Sequence, residues 1–217
     1  MSLTIKRFIN SPVPSNTYLM YIEGEEDCVI IDPGTHEEED LISFIDKKKL
    51  KPSYILLTHE HFDHIWGCNM LKKRYGCRIV CSEVCAQKIA IPQNYYNKLY
   101  NDSDEFYSIS SVYDTVEHLN LCLNIGWIVF KFIKTPGHSS SSICIEMDGL
   151  LFTGDTIMNG YKPIILKRHE GSKELFKESV CSIFEKFSKD TLIYPGHGEV
   201  FKLYEAKLFY EKYFSKL

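Results

Sequence analysis

Four short apolar runs in this chain each stop at a turn that carries histidine or aspartate. Tyr54–Leu57 leads into Thr58-His59-Glu60-His61-Phe62-Asp63-His64, and Trp127–Ile133 into Thr135-Pro136-Gly137-His138. Leu150–Phe152 leads into Thr153-Gly154-Asp155, and Leu192–Ile193 into Tyr194-Pro195-Gly196-His197-Gly198. Apolar runs of this length bounded by Gly and Pro read as strands. Glycine and proline are expected where backbone passes close to a bound ion. Loops at strand ends on a rigid scaffold are where sites are built.

The other elements fit a strand-rich α/β chain. Leu3–Ile9, Thr17–Ile22 and Cys28–Ile31 are β-branched and aromatic runs, and Asp32-Pro33-Gly34 stops the third. A helix starts over Glu37–Asp40, with Leu41, Ile42 and Ile45 as its apolar stripe and Lys47–Lys49 at its end. Pro52 ends that unit. A helix is expected from Asp63 to Tyr75, closing at Gly76, then a strand at Arg78–Cys81 and a helix at Glu83–Ile91. Residues 92–111 read as an elaborated aromatic connection. Ser142–Met147 and Leu150–Phe152 form a hairpin through Asp148-Gly149. A long irregular loop covers Asn159–Gly171. Ser172 caps a helix whose apolar face is Leu175, Phe176, Val180, Ile183 and Phe184. Leu192–Tyr194 is a last short strand, and Leu203, Ala206, Tyr210, Tyr213 and Phe214 are the stripe of a closing helix. No linker divides the chain, so residues 1–217 are expected to be one domain. Two batches of strands, each with helices, suggest two sheets face to face with helices outside: an α/β (α+β) four-layer αββα sandwich.

Composition narrows the function classes. Hydrophobic residues are 44% and charged residues 25%, ordinary for a globular chain and unlike disordered or collagen-like sequences. No apolar run approaches the ~20 residues of a membrane span, and the N-terminus lacks a signal-peptide pattern. The expectations are a cytoplasmic protein with no membrane partner. A formal charge of −4 leaves no global basic field for nucleic acid. The eight cysteines form no C-x-x-C pair and mostly fall within apolar segments, so they read as small buried hydrophobes.

The chemistry lies in the histidine turn. His59 and His61 are two apart, so in an extended turn they point toward one ion. Asp63 and His64 follow where a helix begins and face a second point. Two such clusters on one turn suit a pair of ions about 3.5–4 Å apart. His138, Asp155 and His197 arrive separately at later strand exits.

H-x-H-x-D-H followed by G-H, G-D and G-H, in this order and spacing, resembles the metallo-β-lactamase superfamily and its glyoxalase II-like hydrolases. The resemblance runs from Asp32-Pro33-Gly34 to His197 and implies the same αββα sandwich. It implies that His59, His61 and His138 hold one metal, that Asp63, His64 and His197 hold a second, and that Asp155 bridges them. It also implies that Asp32 supports the histidine turn from behind the ligands. The implied cofactor is two divalent transition metals, zinc first, with iron or manganese acceptable to the same donors.

Two close metals lower the pKa of a shared water, polarise a carbonyl and stabilise its oxyanion. Asp63 is placed to orient the nucleophile and take its proton. The expected activity is a binuclear metallo-hydrolase that uses a metal-bridging hydroxide on an ester, thioester or related bond of a small, anionic substrate. The alternatives are a mononuclear iron persulfide dioxygenase-like oxidoreductase, with iron held by His59, His138 and Asp155, or a lactonase or phosphodiesterase on the same site. Class B β-lactamases usually carry Cys or Ser at the Asp155 position, and flavodiiron proteins carry Glu at that of His61. Glyoxalase II proper adds a C-terminal helical domain, whereas 20 residues follow His197 here.

Substrate contacts are sought in two flanking segments. Lys162, Lys167 and Arg168, with Tyr161, follow Asp155 and can read an anionic group. Tyr95, Tyr96 and Tyr100 can wall an apolar pocket, although Tyr96, Leu99 and Tyr100 also have the spacing of a docking stripe. His36, His118 and His169 match no ligand motif; His36 follows Asp32-Pro33-Gly34 closely and His169 follows Arg168.

Overall fold

A computed structural model describes residues 2–35, 39–100, 103–126 and 128–216, without the side chains of residues 95–97. The chain divides into two compact units, Met1–Thr115 and Val116–Leu217. No helix is long and apolar enough to cross a membrane among the described residues.

The first unit is a six-stranded mixed sheet in the order β1-β2-β3-β4-β5-β6. Its strands are β1 (Leu3–Ile9), β2 (Asn16–Ile22), β3 (Asp27–Ile31), β4 (Lys51–Leu56), β5 (Arg78–Cys81) and β6 (Asp114–Thr115). β1, β2 and β3 pair antiparallel, and β3 through β6 pair parallel. Every residue of β2 is buried, the mark of a strand covered on both faces. The helices are α1 (Glu39–Lys48), α2 (Phe62–Ile65), α3 (Cys68–Tyr75), α4 (Glu83–Ile89) and α5 (Tyr95–Tyr100). Leu41 and Ile45 of α1 join Leu19, Ile30, Ile55, Leu71 and Ile79 in one apolar core.

The second unit is also a six-stranded mixed sheet, in the order β12-β11-β10-β9-β8-β7. Its strands are β7 (Cys122–Ile125), β8 (Ile128–Lys134), β9 (Ile143–Met147), β10 (Leu150–Gly154), β11 (Leu192–Pro195) and β12 (Phe201–Lys202). Among the described residues, only β10 and β11 pair parallel in this sheet. Helices α6 (Lys173–Lys186) and α7 (Leu203–Phe214) bury Phe176, Val180, Ile183, Ala206 and Tyr210 with Leu151 and Ile193.

Three departures from the sequence reading have physical causes. The helix expected from Asp63 to Tyr75 is two helices, broken at Trp66-Gly67. Its helical bond is replaced by tertiary ones: Gly67 N–H donates to the Pro33 carbonyl, and the Asp63 carbonyl accepts the Ser15 hydroxyl. Pro52 lies inside β4, opposite Cys28, where the register shifts and no N–H is missed. Leu175 is 44% exposed rather than part of the buried face. The short strands β6, β7 and β12 carry too little alternation to be read in advance. All three are outermost in their sheets. His36 and Trp127 lie outside the described residues.

Candidate metal centre

In the first unit the parallel strands β3, β4 and β5 run the same way, so their exits share one edge, the usual place for sites in such sheets. Asp32 leaves β3 there, and its N–H donates to the Leu56 carbonyl at 3.1 Å. Its carboxylate accepts the Thr58 backbone N–H on Oδ1 at 2.8 Å and the Thr58 hydroxyl on Oδ2 at 2.6 Å. Oδ2 also lies 3.0 Å from His64 Nδ1.

These bonds fix the imidazoles by counting protons. A buried carboxylate held by three donors is an acceptor, so His64 Nδ1 carries a proton, which in the neutral ring leaves the lone pair on Nε2. The Thr58 hydroxyl has given its hydrogen to Asp32. At 2.9 Å it must therefore accept from His59 Nδ1, which leaves the His59 lone pair on Nε2 as well. One aspartate thus orients two histidines with Nε2 as the atom able to ligate an ion, the arrangement expected behind metal-bound imidazoles. Although Asp32 groups with His59 and His64 within 4.8 Å, its oxygens are committed to support.

Asn10, Ser15 and Thr17 complete the base of the turn. Asn10 Nδ2 donates to Ser15 Oγ at 2.9 Å, and Thr17 Oγ1 donates to the Asp32 carbonyl at 2.8 Å. A Cβ on Gly34 would stand 1.8 Å from the Asp63 carbonyl oxygen, so only glycine lets the two turns meet. Glu60 is held by Lys88 of α4 at 2.9 Å in a pair little exposed to water. The sequence reading missed these groups; the one available signal was polar residues clustered around Pro12 and Pro14.

In the second unit β8, β10 and β11 run the same way and place His138, Asp155 and His197 at their exits. β10 and β11 meet at Gly154–Pro195, and Gly196 N–H donates to the Gly154 carbonyl at 2.8 Å. Asp155 Oδ2 lies 3.5 Å from His138 Nε2 and 3.6 Å from His197 Nε2. In the first unit, His64 Nε2 and Asp63 Oδ2 are 3.7 Å apart. A direct charged hydrogen bond would close to about 2.7–2.9 Å. Two donors each ~2.0–2.1 Å from a tetrahedral ion stand roughly 3.4 Å apart. The spacings therefore fit shared metal ligation, and the donor chemistry suits zinc, iron or manganese.

The turn carrying His138 is clamped onto α6. Gly137 has φ +136°, and a Cβ there would reach 2.2 Å from the Phe176 backbone nitrogen. Ser179 donates to the Pro136 carbonyl at 2.7 Å. The chain leaving Asp155 is held by buried Tyr210 of α7, whose hydroxyl accepts from Met158 N–H at 3.0 Å and donates to the Thr156 carbonyl at 3.3 Å. Burial pushes that phenol well above its ordinary range.

The sequence-selected substrate residues separate in space. Tyr161 lies beside His197, with ring centroids 6.3 Å apart. Lys167 and Arg168 belong to a single exposed 3-10 turn, where Arg168 Nε donates to His169 Nε2 at 3.1 Å. Lys162 lines a different cleft, with Lys173 and Lys212. Tyr100 stacks parallel to Phe62 of the metal turn at 6.4 Å, and Tyr107 donates to the Ile65 carbonyl at 2.7 Å. The aromatic connection is thus docked on the histidine turn. Tyr95 and Tyr96 side chains lie outside the described residues. His118 occupies a turn before β7.

All eight cysteines are free thiols, six of them buried. Burial pushes Cys28 and Cys144 up to about 12 and Cys77 up to about 11. The six buried ones pack as small apolar groups in the two cores, as read from sequence.

Clustered His and Asp donors at strand exits of mixed sheets define a metal-binding α/β protein. The chain belongs to the metallo-beta-lactamase superfamily, whose family model matches residues 10–197. It is 30% identical over 182 residues to the hydroxyacylglutathione hydrolase of Buchnera aphidicola subsp. Baizongia pistaciae (strain Bp), covering 84% of this chain and 62% of that protein. It thus spans less than two thirds of that relative's length. It is 27% identical over 205 residues to the Probable metallo-hydrolase YqgX of Bacillus subtilis (strain 168), covering 89% of each. The BLEG-1 B3 metallo-beta-lactamase structure superposes with a TM-score of 0.78 at 22% identity, over 94% of this chain and 96% of that one. That last likeness is one of fold.

Proposed function

We propose that the chain is a binuclear metallo-hydrolase, glyoxalase II-like in chemistry, that cleaves an ester or thioester-type bond of a small substrate. His59, His61 and His138 would hold one ion, Asp63, His64 and His197 the other, and Asp155 both. The observation that carries this reading is Asp155 Oδ2, buried at 3.5 and 3.6 Å from two imidazole nitrogens. Membership of a metal-binding superfamily and the hydrolase relatives support it.

Bound divalent ions supply a water acidic enough to ionise near neutral pH and an electrophile for the scissile carbonyl. This chain's residues do the rest. Asp63 is only partly buried, so its carboxylate can face a substrate and take or return a proton. Asp32 keeps His59 and His64 in the tautomer with Nε2 basic. Tyr161, half-exposed beside His197, can contact the acyl or leaving group.

The test is a screen of metal-reconstituted protein against thioester, lactone, phosphodiester and β-lactam substrates, with oxygen consumption followed in parallel. Thioester or ester turnover, lost in Asp63→Asn, is the expected result. Oxygen uptake with one iron per chain and no hydrolysis would replace this reading by the dioxygenase-like one.

A further inference from the structure

The second unit carries a cleft of about 690 Å³ that neither the donor residues nor Tyr161 line. Its size is within the roughly 300–1,000 Å³ of small-molecule sites. Four lysines from three segments surround it: Lys162 from the irregular loop, Lys173 from the start of α6, Lys212 from the last turn of α7 and Lys216 just beyond it. Among the described residues no carboxylate lines it, although the chain carries a formal charge of −4. Phe209 and Tyr213, four residues apart and so on one face of α7, add two half-buried aromatic surfaces between the lysines. Local charge and apolar surface are concentrated together against the net sign of the molecule.

We propose that this cleft binds a nucleoside di- or triphosphate. Lysine ammonium groups serve as point charges for phosphate oxygens. Four of them exceed what a single carboxylate calls for, which disfavours a fatty acid, and suit a ligand with several negative charges. Aromatic rings offer a stacking surface for a planar base, which simple polyphosphates lack. A concave site walled from three segments suits a molecule of limited size better than a flat lipid surface. The proposal stands apart from the hydrolytic reading.

Calorimetric titration of the metal-loaded protein with ADP, tripolyphosphate and octanoate tests it. ADP should bind most tightly, and its affinity should fall as salt rises. The exposed double variant Lys212→Gln/Lys216→Gln should weaken ADP at least tenfold with metal content unchanged. Tyr213→Leu, which keeps an apolar side chain but no flat ring, should weaken ADP severalfold and leave tripolyphosphate unaffected. Undiminished ADP binding in the lysine variant would place the nucleotide on the metals and overturn the proposal. Tripolyphosphate equal to ADP, octanoate tighter than ADP, or no ADP binding at millimolar concentration would overturn it equally.

Discussion

The two units present candidate metal donors in opposite ways. In the first, His59, His61, Asp63 and His64 lie within one turn of six residues, and a single carboxylate, Asp32, organises it. In the second, His138, Asp155 and His197 come from three strand exits separated by 17 and 42 residues, aligned by sheet register and by packing on α6 and α7. The first set is a local device with one point of failure. The second is distributed, its three members arriving from separate strands.

The largest effect should therefore come from Asp32. Asp32→Ala strands the Thr58 N–H, the Thr58 hydroxyl and His64 Nδ1 in a buried place, and should cost ~3–5 kcal/mol. Urea denaturation of metal-free protein would measure it. Asp32→Asn should keep most of the shape yet weaken metal binding roughly 10–100-fold, because an amide cannot serve all three donors as acceptor. A variant with unchanged stability and metal affinity would remove Asp32 from its central place.

A smaller effect is expected from the second unit. Tyr210→Phe removes two hydrogen bonds to the chain leaving Asp155 and should cost ~1–3 kcal/mol. Because the set is distributed, the loss should loosen residues 156–158 in hydrogen exchange and leave the His138 turn protected. Loosening of both would mean that the second set is as centralised as the first.

The smallest effect concerns alkaline pH. Cys28 and Cys77 in the first unit and Cys144 in the second have thiols raised by burial, and Cys85, hydrogen-bonded to Cys81 and buried, is raised well above its usual 9. In the unfolded chain they ionise near pH 9, while in the folded chain they stay protonated. The unfolded state therefore holds fewer protons above pH 9, and stability falls as pH rises toward about 12, by up to roughly 1.4 kcal/mol per pH unit for each thiol. Three of these four thiols belong to the first unit, so hydrogen exchange at pH 10 should accelerate there more than in the second. Equal acceleration would contradict the assignment.

What could be read from sequence follows the same division. The histidine turn stands out in the sequence because its candidate donors are neighbours in the chain, and the later candidates because Gly and Pro mark each strand exit. The break between α2 and α3 was not legible. It depends on Ser15 and Pro33 capturing the Asp63 carbonyl and the Gly67 N–H from far along the chain. Nothing in the sequence marks Thr58, whose part in setting the His59 tautomer appears only once Asp32 is beside it. Lys162 was grouped with Lys167 and Arg168 by proximity in sequence, whereas the fold turns it toward α7.

The proposed function requires that both donor sets serve one pair of ions with Asp155 common to both. Elemental analysis of reconstituted wild-type protein beside Asp155→Ala and His64→Ala tests it most directly. The account predicts two metals per chain in the wild type, depletion of both in Asp155→Ala, and loss of one in His64→Ala. No bound metal in the wild type, or full loading in Asp155→Ala, would contradict it.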